Sequence, residues 1–453
     1  MRGRLPAIAA TAAALVIGSV LAAAGGGASQ AMASSTQTGT WGKPQRLPGT
    51  GPGTAVLSVS CSAAGDCAAG GTGFVDSETN GKWGKAKPVP GTSGLGVQWS
   101  VSCAVPGDCG AAGDDGGVVY VSGDRGGRWS LAEKVPGLGG NATVSALSCG
   151  AAGYCVAGGS YAGGSHRTQA FVVMRKNGTW GKAQQVPGLA VLNKGGYASL
   201  SALSCSSAGN CTGGGLYTDG TGAQQGFVVS QADWKWHAAA GLPGLTGLNK
   251  GKYAQVSAMS CASARSCETG GIYTDGGYND TAFVAGSKNG AWGHPSRLGG
   301  INGLSAAPSV GIDQISCSSA GNCGAGGFFT DSGGRQQAFV ASEVDGKWKP
   351  GEAVPGTVTP NTGLSALVAS VSCRSKGNCA AGGLYTVVSG HSVVFVVSEV
   401  NGTWGQAKEI SGVGDYETLY SVSCAAEASC VAGLGARPES AGGSYVLAER
   451  PRR

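Results

Sequence analysis

Residues 203–236 read LSCSSAGNCTGGGLYTDGTGAQQGFVVSQADWKW, from Leu203 to Trp236. Two cysteines six apart, a glycine run, an apolar run and a tryptophan follow one another in this unit, and seven related units occur elsewhere in the chain. The cysteine pairs are Cys61/Cys67, Cys103/Cys109, Cys149/Cys155, Cys205/Cys211, Cys261/Cys267, Cys317/Cys323, Cys373/Cys379 and Cys424/Cys430, which uses all 16. Trp41, Trp83, Trp129, Trp180, Trp236, Trp292, Trp348 and Trp404 keep step, and Trp99 and Trp234 stand outside the series. A period of 42 to 56 residues with β patterning is that of propeller blades.

Four short strands fit each unit. The first ends at the first cysteine, and the second leaves the second cysteine through the glycines. The third is the apolar run, as in Gly226 to Ser230, and the fourth carries the tryptophan and ends near a Pro-Gly turn such as Pro187-Gly188. Asn80-Gly81, Asn177-Gly178, Asn289-Gly290, Asp345-Gly346 and Asn401-Gly402 separate the third and fourth strands. Both residue types tolerate positive φ, which a tight hairpin demands. The repeats begin with a lone fourth strand at Thr40–Lys43 and finish with a lone third strand at Ser444–Ala448. Joined, they complete one blade and remove an exposed sheet edge. The expectation is an all-β, eight-bladed β-propeller of four-stranded blades, its ring closed by the N-terminal strand joining the C-terminal blade.

Residues 1–33 have the pattern of a secretory signal peptide, with Arg2 and Arg4, an apolar run from Ile8 to Ala24, and small residues at Ala31-Met32-Ala33. Residues 34–453 would then form the propeller domain, secreted and extracellular or attached to the cell surface, with no membrane span after signal removal. Paired cysteines agree with export, because disulfides persist outside the reducing cytosol. Each pair is expected to bridge its own first-to-second strand hairpin, one per blade. Zinc fits poorly, since the spacing is wider than CxxC and the chain has only four histidines, so no metal and no cofactor is expected. Glycine is frequent, 85 of 453, but it falls at turns and in the second strand beside alternating apolar residues, which favours order. Net charge is +6 with 12% charged residues and no basic cluster, which argues against nucleic acid as a partner.

The SCSSAGNC and NGTWGKAQQVPG segments resemble secreted Cys-paired repeat proteins of actinobacteria, a group of expected propeller fold with no assigned activity; the likeness spans residues 38–448. A looser resemblance is to Asp-box propellers such as sialidases, carried by Ser122-Gly-Asp124-Arg-Gly126-Gly-Arg-Trp129. The Asp-box is a structural hairpin, so this resemblance implies fold and no chemistry. No positions match the sialidase arginine trio or its Tyr/Glu pair. Quinoprotein dehydrogenases carry adjacent cysteines and a different tryptophan motif, both absent here.

Strand order puts the Cys hairpin and the Asn-Gly hairpin on one face. The second-to-third loops and the Pro-Gly links fall on the other, where length varies most. From second cysteine to tryptophan the spacing is 16, then 20, then 25 residues in five repeats. Variable loops on a rigid frame commonly carry function. The loops repeat polar-aromatic sets: Tyr217 with Asp219, Tyr273 with Asp275, Phe329 with Asp331, and Asn193 with Tyr197 recurring as Asn249 with Tyr253. An aromatic platform beside Asp and Asn suits a sugar, whereas Asp-Gly turns and inter-blade tyrosines would be purely structural. The in-step tryptophans are expected to pack between blades, and His166, His237, His294 and His391 to be surface residues. No GxSxG, HExxH or P-loop pattern stands out. The sequence therefore favours a secreted, monomeric, non-catalytic binding module for glycan, cell-wall polymer or extracellular protein on the long-loop face. The alternatives are a glycoside hydrolase or lyase on a propeller, which needs converging carboxylates, and a structural envelope protein.

Overall fold

The computed structural model describes residues 39–164, 167–301, 309–413, 417–426, 429–436 and 443–451. The expected leader and His166 lie outside them. The described residues form eight antiparallel sheets, one per cysteine pair, numbered here as blades 1 to 8 in the order of those pairs. Blade 4 shows the plan. Its strands are Ala198–Ser207, Asn210–Thr218 and Gln224–Ala232, and a fourth strand is split into Lys235–Trp236 and Ala240–Gly241. Blade 8 is made from both ends of the repeat array. Gly39–Trp41 and Gln45–Arg46 pair with Ser444–Pro451, Trp41 opposite Glu449 and Gln45 opposite Val446.

The hairpins follow the sequence. Asn80, Asn177, Asn289, Asp345 and Asn401 have φ of 50 to 54°, and the glycines after them 75 to 82°, so both central residues are left-handed as a two-residue hairpin requires. Blade 4 meets the same requirement without glycine, with Asp233-Trp234 at φ 49 and 69°. The Trp234 ring lies over Gly209, edge-on to Tyr154 at 5.1 Å and under the Lys176 ammonium at 4.4 Å.

The first strand bulges at Leu200/Ala202 and at the matching place in six other blades. Opposite that bulge the second strand needs glycine. A Cβ on Gly215 would run into the Ser199 carbonyl oxygen, and one on Gly214 into Val256 of the next blade. This is why the glycine run recurs.

Two hydrogen-bond series tie blade to blade. The serine before each first cysteine accepts the backbone N–H of the first cysteine in the following blade at 2.9 to 3.0 Å: Ser60 from Cys103, Ser102 from Cys149, Ser148 from Cys205, Ser204 from Cys261, and so on. Ser423 accepts from Cys61 at 2.9 Å, which closes the circle. Further out, the fourth strand of six blades turns a backbone N–H onto the preceding inter-blade link, as in Ala183 to the Pro136 oxygen at 3.0 Å and Ala239 to the Pro187 oxygen at 2.7 Å. Proline fills that position in blades 5 and 8, Pro295 and Pro44, and has no N–H to give. Between these series lies one apolar cluster per interface, with Phe171, Phe227, Phe283, Phe339 and Phe395 fully buried.

All eight disulfides form as expected, each joining directly opposed residues of one hairpin with a Cα separation of 3.9 to 4.0 Å. The second cysteine of every pair is buried: Cys67, Cys109, Cys155, Cys211, Cys267, Cys323, Cys379 and Cys430. The first cysteine of the pair is half-buried at the inter-blade serine bond, as in Cys149, Cys261, Cys317 and Cys373. Cys155, Cys211, Cys267, Cys379 and Cys430 lie inside the apolar interfaces and line neither of the cavities described below. These bridges brace the hairpins of the frame, and Cys67 and Cys109 also form part of the wall of a cavity between blades 1 and 2. No helix among the described residues is long and apolar enough to cross a membrane.

Candidate functional site

The loop face carries the length variation, as strand order requires. Asp219, Asp275 and Asp331 each begin a second-to-third loop, and each carboxylate is taken up by its own loop. Asp219 accepts from the Thr221 N–H at 2.8 Å, the Ala223 N–H at 3.1 Å and Gln225 Nε2 at 3.1 Å. Asp275 accepts from the Gly277 and Asn279 N–H groups at 2.8 and 3.0 Å, and Asp331 from those of Gly333 and Arg335 at 2.9 and 3.0 Å. These bonds hold all three carboxyls below the usual range, against the opposing effect of burial. Short helices Leu189–Leu192 and Leu245–Leu248 lie in the links ahead of blades 4 and 5.

Asn193 and Asn249 are buried latches across the interfaces. Asn193 Nδ2 donates to the Thr168 oxygen at 3.2 Å, and Asn249 Nδ2 to the Gln224 oxygen at 2.8 Å. Asn361 repeats this on the Gln336 oxygen at 2.8 Å. Its Pro-Asn-Thr-Gly context hides it from a search for the Asn-Lys-Gly motif. Tyr217 and Tyr273 are buried, Tyr253 donates to Gln255 Oε1 at 2.7 Å, and Tyr197 is 43% exposed. The predicted residues therefore shape the loops, while Tyr197 presents its ring outward. Among the described residues, seven of the ten exposed large apolar side chains lie on this face, including Val191, Tyr197, Tyr278, Leu364 and Val388, with Tyr278 at 82% exposure. The sequence search missed Tyr278 because it sits in only one of the repeated loops. His237 and His294 are exposed, and His391 is half-buried.

The inter-blade layer near the Cys hairpins is polar. The third-strand residue opposite each in-step tryptophan faces the preceding blade, and the series runs Glu78, Asp124, Arg175, Gln231, Ser287, Glu343, Glu399 and Glu449. Several tryptophans donate their indole N–H to the serine that precedes this position one blade back. Trp129 reaches Ser77 at 3.2 Å, Trp404 reaches Ser342 at 3.0 Å and Trp41 reaches Ser398 at 3.2 Å. Blade 5 has Gly286 in place of that serine, and Glu268 from the second strand fills the space and faces Trp348. Burial, reinforced by Glu343, pushes Glu268 up to about 8, and burial pushes Glu343 up to about 7. Asp313, at the first-strand bulge of blade 6, is also pushed up to about 7 by burial.

Blades 1 and 2 enclose two adjoining cavities. One, of about 250 Å³, is lined by Ser62, Asp66, Ser77, Glu78 and Asp124, with Cys67, Cys109, Thr79, Pro106 and three glycines completing its wall. The other, of about 580 Å³, shares Ser77, Thr79, Gly126 and Gly127 with it and adds Asp76, Lys82, Lys85, Lys87, Arg128 and Trp129. Among the described residues no three His, Cys, Asp or Glu side chains are placed to hold a metal ion.

No protein-family model matches the chain, and no curated protein matches it. Among solved structures, the Dos1 propeller aligns with a TM-score of 0.53 at 10% identity, over 90% of this chain and 95% of its own. The BP39L lectin from Burkholderia pseudomallei aligns with a TM-score of 0.45 at 15% identity, over 80% of this chain and 100% of its own. The Hadza microbial sialidase Hz136 gives 0.38 at 10% identity, over 81% and 76%. These likenesses are of fold alone.

Proposed function

We propose that the chain is a non-catalytic binding module that recognises saccharide, cell-wall polymer or a protein surface through its loop face. The observation that carries this is the gathering of exposed apolar and aromatic side chains on that face, above loops braced by Asp219, Asp275 and Asp331. A rigid frame presenting aromatic rings orders few side chains on binding, which favours affinity. In this reading Tyr197 and Tyr278 contact the ligand, Tyr253 lies alongside, and Tyr217, Tyr273, Asn193 and Asn249 hold the loops in place. Eight disulfides are consistent with work in an oxidising, extracellular setting.

The test is an array of glycans, cell-wall fragments and surface peptides probed with the purified chain and with Tyr197→Ala and Tyr278→Ala. Saturable binding that both substitutions weaken supports the loop face; binding indifferent to both removes it. Cleavage of a bound glycan, lost in Asp313→Asn, would replace this reading with a hydrolase or lyase.

A further inference from the structure

The internal repeat gives each inter-blade slot near the Cys hairpins three corner positions. They are the residue after the first cysteine, the residue before the second, and the tryptophan-paired residue of the next blade. Between blades 2 and 3 the third corner is Arg175, which is 1% exposed. Its guanidinium donates to Asp108, the second corner, at 2.7 Å and to the Cys109 oxygen at 3.3 Å. Between blades 7 and 8 a guanidinium enters from the opposite side. Arg374, the first corner, donates to Glu449, the third corner, at 3.0 Å and lies 3.3 Å from Cys430 Sγ.

Between blades 1 and 2 the same corners are Ser62, Asp66 and Asp124. Two are acids and no arginine enters. All three line the cavity of about 250 Å³, whose wall holds no Lys or Arg side chain. Asp124 is 1% exposed; its Oδ2 accepts from the Ser77 hydroxyl at 3.3 Å, and its Oδ1 makes no well-aligned hydrogen bond. Burial holds the Asp124 carboxyl above the usual range, outweighing Ser77 and the nearby Arg128 and Gly127 N–H groups. A buried carboxylate left short of partners is costly, and a planar cation donating two N–H groups is the group that best satisfies it.

We propose that this cavity is a binding site for a guanidinium group, the head of an arginine side chain supplied by a ligand, held by Asp124 and Asp66. The bound group does between blades 1 and 2 what Arg374 and Arg175 do within the chain at their own interfaces. The site lies on the Cys-hairpin face, away from the loop face, and stands independently of the function proposed above.

Methylguanidinium is the probe, at millimolar concentration, with methylammonium and sodium at equal ionic strength as controls. The readouts are calorimetric titration and the thermal midpoint of the full chain. The wild type is expected to give a saturable rise in midpoint with methylguanidinium that sodium does not reproduce. Ser62→Arg, which plants an arginine where Arg374 stands in blade 7, is expected to raise the midpoint by itself and to abolish the response. Arg374→Ser opens the equivalent slot between blades 7 and 8 and calibrates the assay, since methylguanidinium should partly restore its lost stability. Rescue of Arg374→Ser without any response from the wild type overturns the proposal. So does an undiminished response in Ser62→Arg.

Discussion

Ser204 accepts the Cys261 N–H at 2.9 Å, one link in a circle of eight such bonds. Replacing it with alanine strands a part-buried backbone donor, a loss of about 1–3 kcal/mol. Ser204→Ala should therefore lower the urea midpoint with little change in m-value, while Ser206→Ala, whose hydroxyl makes only a long bond of 3.5 Å within its own hairpin, should leave it near wild type. Glu268 makes a different kind of prediction. Its folded-state carboxyl sits at about 8 against 4.5 for the free group, so the folded chain holds a proton that the unfolded chain has released. The folded state is then favoured below about pH 4.5, and that advantage drains away as pH rises toward about 8. Glu343, Asp313 and Glu417, all at about 7, act in the same direction. Asp219, Asp275 and Asp331 act oppositely, with stability present above their unfolded pKa and lost on strong acidification. Thermal midpoints should accordingly peak at mildly acidic pH and fall toward about pH 8. Glu268→Gln should flatten the fall, and an unchanged slope would show that this carboxyl is not protonated in the folded chain.

At the scale of the strand, the short pieces Gly39–Trp41 and Gln45–Arg46 do the work of a full fourth strand. They cover the edge of Ser444–Pro451, bury Trp41, and accept the Lys408 ammonium on the Trp41 oxygen. Removing residues 39–46 leaves that edge open with its apolar neighbours Leu447 and Val446 uncovered. The truncated chain should elute as aggregate or swapped oligomer in size-exclusion chromatography, and adding the missing strand as a peptide should recover monomer. A truncated chain that stays monomeric and melts normally would show that the strand is decorative. This closure was legible in the sequence, because a lone Thr-Trp-Gly-Lys segment ahead of the first cysteine pair can only complete a blade elsewhere. The split of the fourth strand was not legible. It arises from hydrogen bonds such as Ala183 to Pro136, which join residues brought together only by neighbouring blades. The loop residues divide in the same way. Tyr217 and Asp219 were visible as a repeating set, but burial of the ring and capture of the carboxylate by Thr221, Ala223 and Gln225 depend on the loop's path. The slot between blades 1 and 2 escaped notice because its corners come from two repeats and differ from their counterparts in charge, which a search for recurrence passes over.

For the whole molecule, the question is whether the ring or the disulfides hold it together. Each bridge closes a hairpin with a sequence separation of six, which in the loop-entropy model stabilises by about 2 kcal/mol. One bridge is a modest part of the roughly 5–15 kcal/mol net stability of an ordinary domain, whereas eight together exceed it. Cys205→Ala with Cys211→Ala should thus lower the thermal midpoint by a few degrees and leave one cooperative transition. Reducing all eight should unfold the chain near room temperature. The ring argues for cooperativity in the first case. Each blade donates N–H groups to one neighbour and accepts from the other, so a weakened blade 4 cannot melt without unpairing Ser148 and Cys261 on either side. An open array of repeats would instead let the weakened unit fray and show a separate early transition. Scanning calorimetry on the double-alanine chain separates the two: a single shifted peak marks the closed ring as the unit of stability, and a split peak marks the blade. If the fully reduced chain still melts in one sharp transition at high temperature, the serine circle and the eight apolar interfaces suffice, and the disulfides guard against local opening rather than global unfolding.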